Sequence, residues 1–537
     1  MKRIIIPAII AAVPAVAAAQ SPVQADALSQ TELRGTARFM GMGGAFTALG
    51  GDLSTLGQNP AGIGVYSRSD VGITLDINMR GYKSETPGYS FKENQTKAFV
   101  NNLAYVGAIN LDGAMRNFNW GVSYGRKTSF DRITKGYNYP TQNSLTNYIA
   151  AFSNGYSPAE LGFDKSRNYN PYLDSDCDWL SILGYTSYMI NPTGTNQYAG
   201  LYVPGQTEGD AAYVVQESGY VDEYNIDFGG NISDVVYWGV GVGINDISYF
   251  RYANYSESMA NAHIVSGNSM VKGDAGFTLE NDNHIWGSGC NIKLGLIVRP
   301  INELRIGLAV HTPTWYTLNH SYKAYTGFSY FDPGKPEVAE ENPYEGGEET
   351  DLASFSSKLN TPWRLMLGVA GVIDNRAIIS LDYERQFYNS MSTKRQRYNG
   401  YYATSWESAD EVNDAIGEYY QGANIIRLGL EYRVTPQFSL RMGYNAQTSN
   451  VNKDAADGMY EIMTSGTDPS YSFDKTTQYI TAGLGYRYKM WYIDAAYVYK
   501  NRKSTFHAYT DFNGFEAPSA SVTDNNHSIV LSTGFRF

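Results

Sequence analysis

Six histidines, His263, His284, His311, His320, His507 and His527, and two cysteines, Cys177 and Cys290, are the residues of this 537-residue chain best suited to metal or nucleophilic chemistry. They are scattered. None of the histidines stands in an H-E-x-x-H or beside a G-x-S-x-G, so neither zinc hydrolysis nor serine acyl transfer finds its local framework. Two distant cysteines exclude a disulfide framework and a Cys-rich metal site. An acidic run, Glu337, Glu340, Glu341, Glu345, Glu348, Glu349 and Asp351, lacks the Asp-x-Asp-x-Asp-Gly spacing of a calcium loop and reads as a solvated connection. The glycines of Gly41-Met42-Gly43-Gly44 follow no strand, and position 46 is Phe46 where a dinucleotide fingerprint needs its third glycine. The residues therefore predict no enzyme and no cofactor. Because His and Tyr are iron ligands, uptake of haem or another ligand stays open as an alternative, as does a surface adhesin.

Composition narrows the elements that position these groups. Tyr 45, Phe 22, Trp 8 and Gly 54 are high together, while charged residues are only 18%, against about 25% in soluble domains. A mean hydropathy of −0.36 and the lack of repeated apolar runs of about 20 residues argue against spanning helices. A net charge of −12 disfavours nucleic acid as a partner. At the amino terminus, Lys2 and Arg3, the apolar stretch Ile4 to Val16, and Ala17-Ala18-Ala19 before Gln20 form the three parts of a secretory signal, predicted over 1–19.

Strands are announced by a period of two. Val71, Ile73, Leu75, Ile77 and Met79 alternate with Gly72, Thr74, Asp76, Asn78 and Arg80, which gives one apolar and one polar face. The same alternation returns around Trp120, Trp238, Leu294, Leu428 and Leu531, with Ile297 turned inward, and runs to the final Phe537. Polar faces rich in Arg and Gly suit a water-accessible lumen, and the apolar faces then meet lipid. Short connections near 112–117, 231–234, 299–303, 373–375, 433–437 and 488–490 alternate with long polar stretches, 81–101, 128–220, 251–283, 331–358, 392–421, 446–476 and 504–524. Thirteen connections of two kinds predict an all-β transmembrane antiparallel barrel of about 14 strands over 65–537, with short periplasmic turns and long extracellular loops. The long 128–220 stretch is expected to fold over the mouth or to carry short strands or helices of its own. Aromatic residues such as Trp120, Tyr124, Trp238 and Tyr432 are expected in lipid-facing girdles.

Residues 20–64 lack this alternation. They hold Arg34-Gly35, Gly43-Gly44-Ala45, Gly50-Gly51-Asp52 and Asn59-Pro60-Ala61, small residues that allow close backbone packing and a pair that marks a turn. In this order, and in Leu359-Asn360-Thr361-Pro362-Trp363-Arg364 and Arg427-Leu428-Gly429-Leu430-Glu431-Tyr432-Arg433, the sequence resembles the FadL/TodX-type outer-membrane transporters of long-chain fatty acids and other hydrophobic molecules. The resemblance spans nearly the whole mature chain. It departs in the single acidic Asp52, where the family often has two, and in longer outer loops.

The resemblance implies an N-terminal hatch over 20–64 plugging the barrel lumen, with Arg34, Gly35, Gly43, Gly44, Asp52, Asn59, Pro60 and Ala61 as its motif, and passive uptake of a fatty acid-like ligand with lateral release through the wall. A kink near Phe118 to Arg126 is one expected place for that release, although Gly121 and Gly125 read equally well as ordinary lumen positions. Arg305, Arg364 and Arg427 stand where a carboxylate head could be met, or else they pair with Asp382, Glu384, Glu431 or Asp494. The expected partners are the ligand, outer-membrane lipid and lipopolysaccharide, and the barrel-assembly machinery through Phe537. The expected state is a monomer in the outer membrane of a Gram-negative cell, with no metal site.

Overall fold

The alternation that opens at Val71 becomes a ring. A computed structural model describes residues 20–266, 269–331, 344–374, 376–399, 402–512 and 514–537. The expected leader over 1–19 and the part of the acidic run at Glu337, Glu340 and Glu341 lie outside the described residues. Fourteen antiparallel wall strands follow one another: β1 (Asp70–Thr86), β2 (Tyr89–Asn110), β3 (Met115–Ser129), β4 (Glu208–Ile232), β5 (Val236–Ser266), β6 (Ser269–Ile301), β7 (Leu304–His311, then Trp315–Phe331), β8 (Ala353–Asn360, then Trp363–Ile373), β9 (Ala377–Phe387, then Ser392–Asn399), β10 (Gly422–Arg433), β11 (Phe438–Gln447), β12 (Tyr471–Tyr488), β13 (Trp491–His507) and β14 (Ser519–Arg536). Each pairs with the next, and β14 returns to β1 from Asp70 opposite Arg536 to Glu85 opposite Ser521. Closure pairs the edges that lipid would leave unsatisfied.

The two faces separate as the period requires. On β1, Val71, Ile73, Leu75, Ile77 and Met79 are exposed while Thr74, Asp76, Asn78 and Arg80 are buried. Trp120 and Tyr432 face outward, and Ile297 is fully buried against Ala61 and Tyr237. Strands β7, β8 and β9 break side by side at 312–314, 361–362 and 388–391. Proline at 313 and 362 cannot donate to a ladder. Side chains mend the breaks: Thr314 N donates to Thr361 Oγ1 at 2.8 Å, and Trp363 N to Ser390 Oγ at 3.5 Å.

Two of the long stretches read as loops are strand instead. Residues 81–101 belong to β1 and β2, paired out to Thr86 opposite Tyr89, and 251–266 and 269–283 belong to β5 and β6. Over 81–101 no apolar core lies against either face, so pairing leaves no alternation there; over 274–280 the inward Ala275, Phe277 and Leu279 do alternate with Gly276, Thr278 and Glu280, a local signal that the surrounding polar residues obscure. The other long stretches mix strand with other structure; 392–421, for example, contains a strand over Tyr402–Ser408 and a helix over Asp410–Tyr419. The 128–220 stretch supplies a strand at Arg132–Thr141, a short hairpin at Asn191–Gly194 and Gln197–Ala199, and four helices. Its apolar side packs with the tops of β4 to β7, β13 and β14 into one cluster around Leu145, Tyr213, Leu279, Tyr322 and Phe506. Glu257 on β5 accepts from Leu145 N at 2.9 Å and from Ser144 Oγ, so a wall carboxylate caps the helix Leu145–Ser153.

Residues 20–66 lie within the ring as a plug. Helices α1 (Pro22–Ser29), α2 (Ala37–Gly41) and α3 (Thr55–Gln58) and a 3-10 turn (Pro60–Val65) are its only regular parts. Ser21 and Gln24 form a capping box that starts α1, with Pro22 at the first helical position. Backbone approaches backbone at two places. Gly43 has φ +63, and a Cβ there would sit 2.8 Å from the Tyr444 carbonyl oxygen. Gly239 on β5 touches the plug so closely that a Cβ would lie 2.3 Å from the Pro60 carbonyl. Gly43→Ala is therefore expected to lose roughly 1–3 kcal/mol, read as a lower midpoint of the heat-modifiable gel shift of the folded barrel.

Candidate functional site

The site is built where the plug meets the wall. Asn59 turns the chain by accepting from Ala61 N at 3.1 Å and donating to Thr47 O at 2.6 Å. Asp52 accepts from Thr36 Oγ1 at 2.7 Å and Ser54 N at 3.0 Å. The wall completes what the plug cannot. Asn101 donates to Gly35 O at 2.7 Å, Asn119 to Ile63 O at 2.7 Å, Asn117 to Gly64 O at 3.0 Å, Asn445 to Gly43 O at 3.3 Å and Thr481 to Gly41 O at 3.0 Å. Gln58 returns to the plug itself, donating to Gly44 O at 2.9 Å. Thus Gly35, Gly43, Asn59, Pro60 and Ala61 lie on contacts between plug and wall, whereas Gly44 and Asp52 are held by bonds within the plug.

Charges complete the seat. Arg34 pairs with Glu32 at 2.6 Å and reaches Asp76 on β1 at 3.5 Å, and Lys500 on β13 holds the other oxygen of Glu32 at 2.5 Å. Of the three arginines placed as head-group contacts, Arg364 and Arg427 converge on one buried carboxylate, Glu384, at 2.7 and 2.5 Å. Arg305 lies apart from them and donates to the plug carbonyl of Leu49 at 2.5 Å. The pattern in the sequence did not mark a second clamp, in which Lys293 Nζ meets Glu223 at 2.6 Å and Asn225 at 2.5 Å, with Lys127 at 3.3 Å from Glu223. Single charged residues inside alternating strands were its only trace.

Two cavities adjoin around Thr31 and Glu32. One, of about 80 Å³, lies between α1 and the outer part of the wall and is lined by Arg132, Glu217, Tyr249, Arg251 and Asp474 among others. The second, of about 120 Å³, lies lower, between Arg34, Leu53, Asn102, Arg126 and Arg427. It reaches a fault in the wall. β2 and β3 pair from Asn110 opposite Asn117 only as far as Asn102 opposite Gly125, yet β2 continues to Tyr89 and β3 to Ser129. Asn102 stands opposite Thr74, halfway up the lipid-facing row that ends at Met79. Above the fault side chains span the gap: Lys97 of β2 meets Asp131, just past β3, at 2.6 Å, and Tyr82 Oη of β1 donates to Asp131 O at 2.8 Å. Inside this window stands Phe99, with the guanidinium carbons of Arg34 and Arg126 at 4.8 and 5.2 Å from its ring centre, in cation–π range. Within the stretch where a kink was expected, Gly121 packs against Leu56 of the plug, and Gly125 stands at the end of the pairing. Phe99 was missed because it falls in a stretch with no apolar alternation.

The histidines are held in separate places. His311 contacts Gln58 O at 2.8 Å, His320 contacts Ser357 Oγ at 2.8 Å, and His284 stacks on Phe250. Among the described residues no group of three or more His, Cys, Asp or Glu side chains is arranged to hold a metal ion.

Fourteen strands, a plug in the lumen, a lipid-facing apolar belt and aromatic residues along it define a plugged β-barrel of the outer-membrane type. Its fold is that of the FadL-type barrels: a FadL homologue of Pseudomonas aeruginosa superposes with a TM-score of 0.51 at 14% identity, covering 94% of this chain and 99% of the other. The toluene transporter TodX of Pseudomonas putida gives a TM-score of 0.45 at 13% identity, covering 94% and 99%. No protein-family model matches the sequence, and no curated protein matches it.

Two measurements probe the seat. Asp26 in α1 is pushed up to about 7 by burial and by nearby Asp474, which the donors Asn450 and Gln30 offset only in part. An acid whose folded pKa is raised stabilises the seat below its unfolded value near 4, and that contribution is lost as pH rises to about 7. Protection factors across residues 20–30, taken relative to the intrinsic exchange rate at each pH, are therefore expected to be higher at pH 5 than at pH 8, and Asp26→Asn is expected to flatten the difference. Removing the shared carboxylate with Glu384→Gln strands Arg364 and Arg427 and is expected to cost about 3–5 kcal/mol. Thermal unfolding in detergent measures that loss, which Arg427→Met in the same chain should partly restore.

Proposed function

We propose that this protein is a passive transporter in the outer membrane of a Gram-negative cell, exported by its N-terminal leader, that takes up fatty acids or other hydrophobic small molecules. The observation that carries this reading is the end of the β2–β3 ladder at Asn102 and Gly125, two residues that also line the cavity at the plug, with Phe99 beside them under Arg34. A hydrophobic chain leaving this way stays out of water, at roughly 0.8 kcal/mol for each CH2 kept buried. The resemblance of the 34–61 motif to the FadL/TodX-type transporters favours this ligand class. A charged lining beside Tyr249, Tyr479 and Phe130 suits an amphipathic ligand, its head among ionic groups and its chain toward Phe99.

The cavities of about 80 and 120 Å³ are smaller than the roughly 300–1,000 Å³ of a site for a small-molecule ligand. Transport on this reading needs the plug to shift and Phe99 to swing aside. The residues 20–64 then act as a hatch, and the chain works as a monomer inserted through recognition of Phe537.

A cysteine pair at Lys97 and Asp131 tests the exit. Once oxidised it should hold the window shut and bring uptake of a labelled fatty acid to background, with recovery on reduction; unchanged uptake would refute lateral release. Deleting 34–62 should raise the conductance of the barrel to small hydrophilic solutes in planar bilayers. Mass spectrometry of small molecules that co-purify from native membranes identifies the ligand, and a porphyrin in place of fatty acids would overturn the assignment of substrate.

A further inference from the structure

At the end of the barrel with the short turns, a cavity of about 460 Å³ opens between the plug and the wall. Its charge is one-sided. Glu431 is the single carboxylate in its lining, and it is already held by Arg38 at 2.8 Å and Arg441 at 2.7 Å. Arg536, also in the lining, is neutralised by Asp70 at 2.7 Å. Five further cations line the cavity, Arg68, Arg305, Arg433, Arg487 and Lys489, and none has a carboxylate partner among the described residues. Arg305 spends one nitrogen on Leu49 O and leaves its Nε buried without a partner. Arg38 lies within electrostatic reach of both Arg305 and Arg487.

A chain with net charge −12 has no general excess of arginine to spill into this mouth, so the local concentration calls for its own cause. Guanidinium groups do not shed their protons, so like charges gathered in one concavity repel until a counter-charge arrives. Their planar forks match carboxylate and phosphate oxygens in pairs. Tyr66, Trp491 and Tyr492 complete the wall and leave room for an organic body.

We propose that this vestibule binds a molecule carrying two or more carboxylate or phosphate charges, either free in the aqueous phase or as the headgroup of an anionic lipid at the membrane surface. The site stands apart from the plug cavity and the window, so it does not depend on the ligand that uses them. Its compartment, the periplasm, follows from the short turns.

Purified full-length protein in neutral detergent is titrated with inorganic pyrophosphate by calorimetry, and separately examined by native mass spectrometry for retention of cardiolipin against phosphatidylcholine. Saturable binding of pyrophosphate, or selective retention of cardiolipin, is expected to fall at least tenfold in Arg305→Gln/Arg487→Gln and several-fold in Arg68→Gln/Lys489→Gln, whose residues stand at the exposed rim where folding is least affected. Pyrophosphate binding points to a soluble anion, whereas cardiolipin retention alone points to a lipid headgroup. Binding of neither probe, or binding that all four substitutions leave unchanged in variants with the heat-modifiable mobility of a folded barrel, overturns the proposal.

Discussion

The structure depends on how a poorly structured chain is kept inside a closed ring. The plug has three short helices and one 3-10 turn, so most of its peptide groups find no partner in a ladder of their own. Buried peptide groups must be paired. The wall supplies the partners from its inward side chains, with Asn101, Asn117, Asn119, Asn445 and Thr481 each donating to a plug carbonyl. A lumen face made polar for this purpose explains the inward Asn, Thr, Ser and Arg of strands such as β1, and why bare glycines such as Gly239 stand where the two backbones touch.

The same requirement gives the window its meaning. Lipid penalises each unpaired backbone group, and along most of the wall each strand has a neighbour on both sides. Between β2 and β3 the ladder stops halfway up the apolar belt. Ionic and aromatic groups hold the edges together there, through Lys97 with Asp131 and Phe99 with Arg34 and Arg126. At this one place the wall is held by side-chain contacts, whose rotamers change far more readily than a ladder of backbone hydrogen bonds comes apart. Because Arg34 belongs to the plug, any shift of the plug is felt at Phe99.

Strand number, closure and the facing of each residue were legible in the sequence because lipid enforces a period of two. Above the belt that rule weakens: 81–101 loses the alternation altogether, and in 251–266 and 269–283 it survives only in short rows such as Ala275, Phe277 and Leu279 among polar residues, which is why these paired strands read as loops. The ion pairs were legible as possible partners, Arg364 and Arg427 with Glu384, but their convergence follows from the register of β8, β9 and β10, which no local pattern encodes. Phe99 lay in a stretch without alternation, and the basic vestibule draws its residues from the plug end, three strands and a turn. Position within the plug came from resemblance to known barrels, because small residues and an Asn-Pro pair are equally at home in any tight turn.

The join between β1 and β14 carries one more implication. Asp70 is paired with Arg536, and Ser69 N donates to the carbonyl of Phe537 at 3.0 Å, so the contact that finishes the cylinder links residues almost the full chain apart. Such a contact has the greatest loop-closure entropy in the molecule and forms slowly. Until the last strand has been made and docked, both edges stay open to any other strand they meet. A nascent chain of this design is thus committed to a late, single closing event, and its two open edges stay at risk for as long as that search lasts.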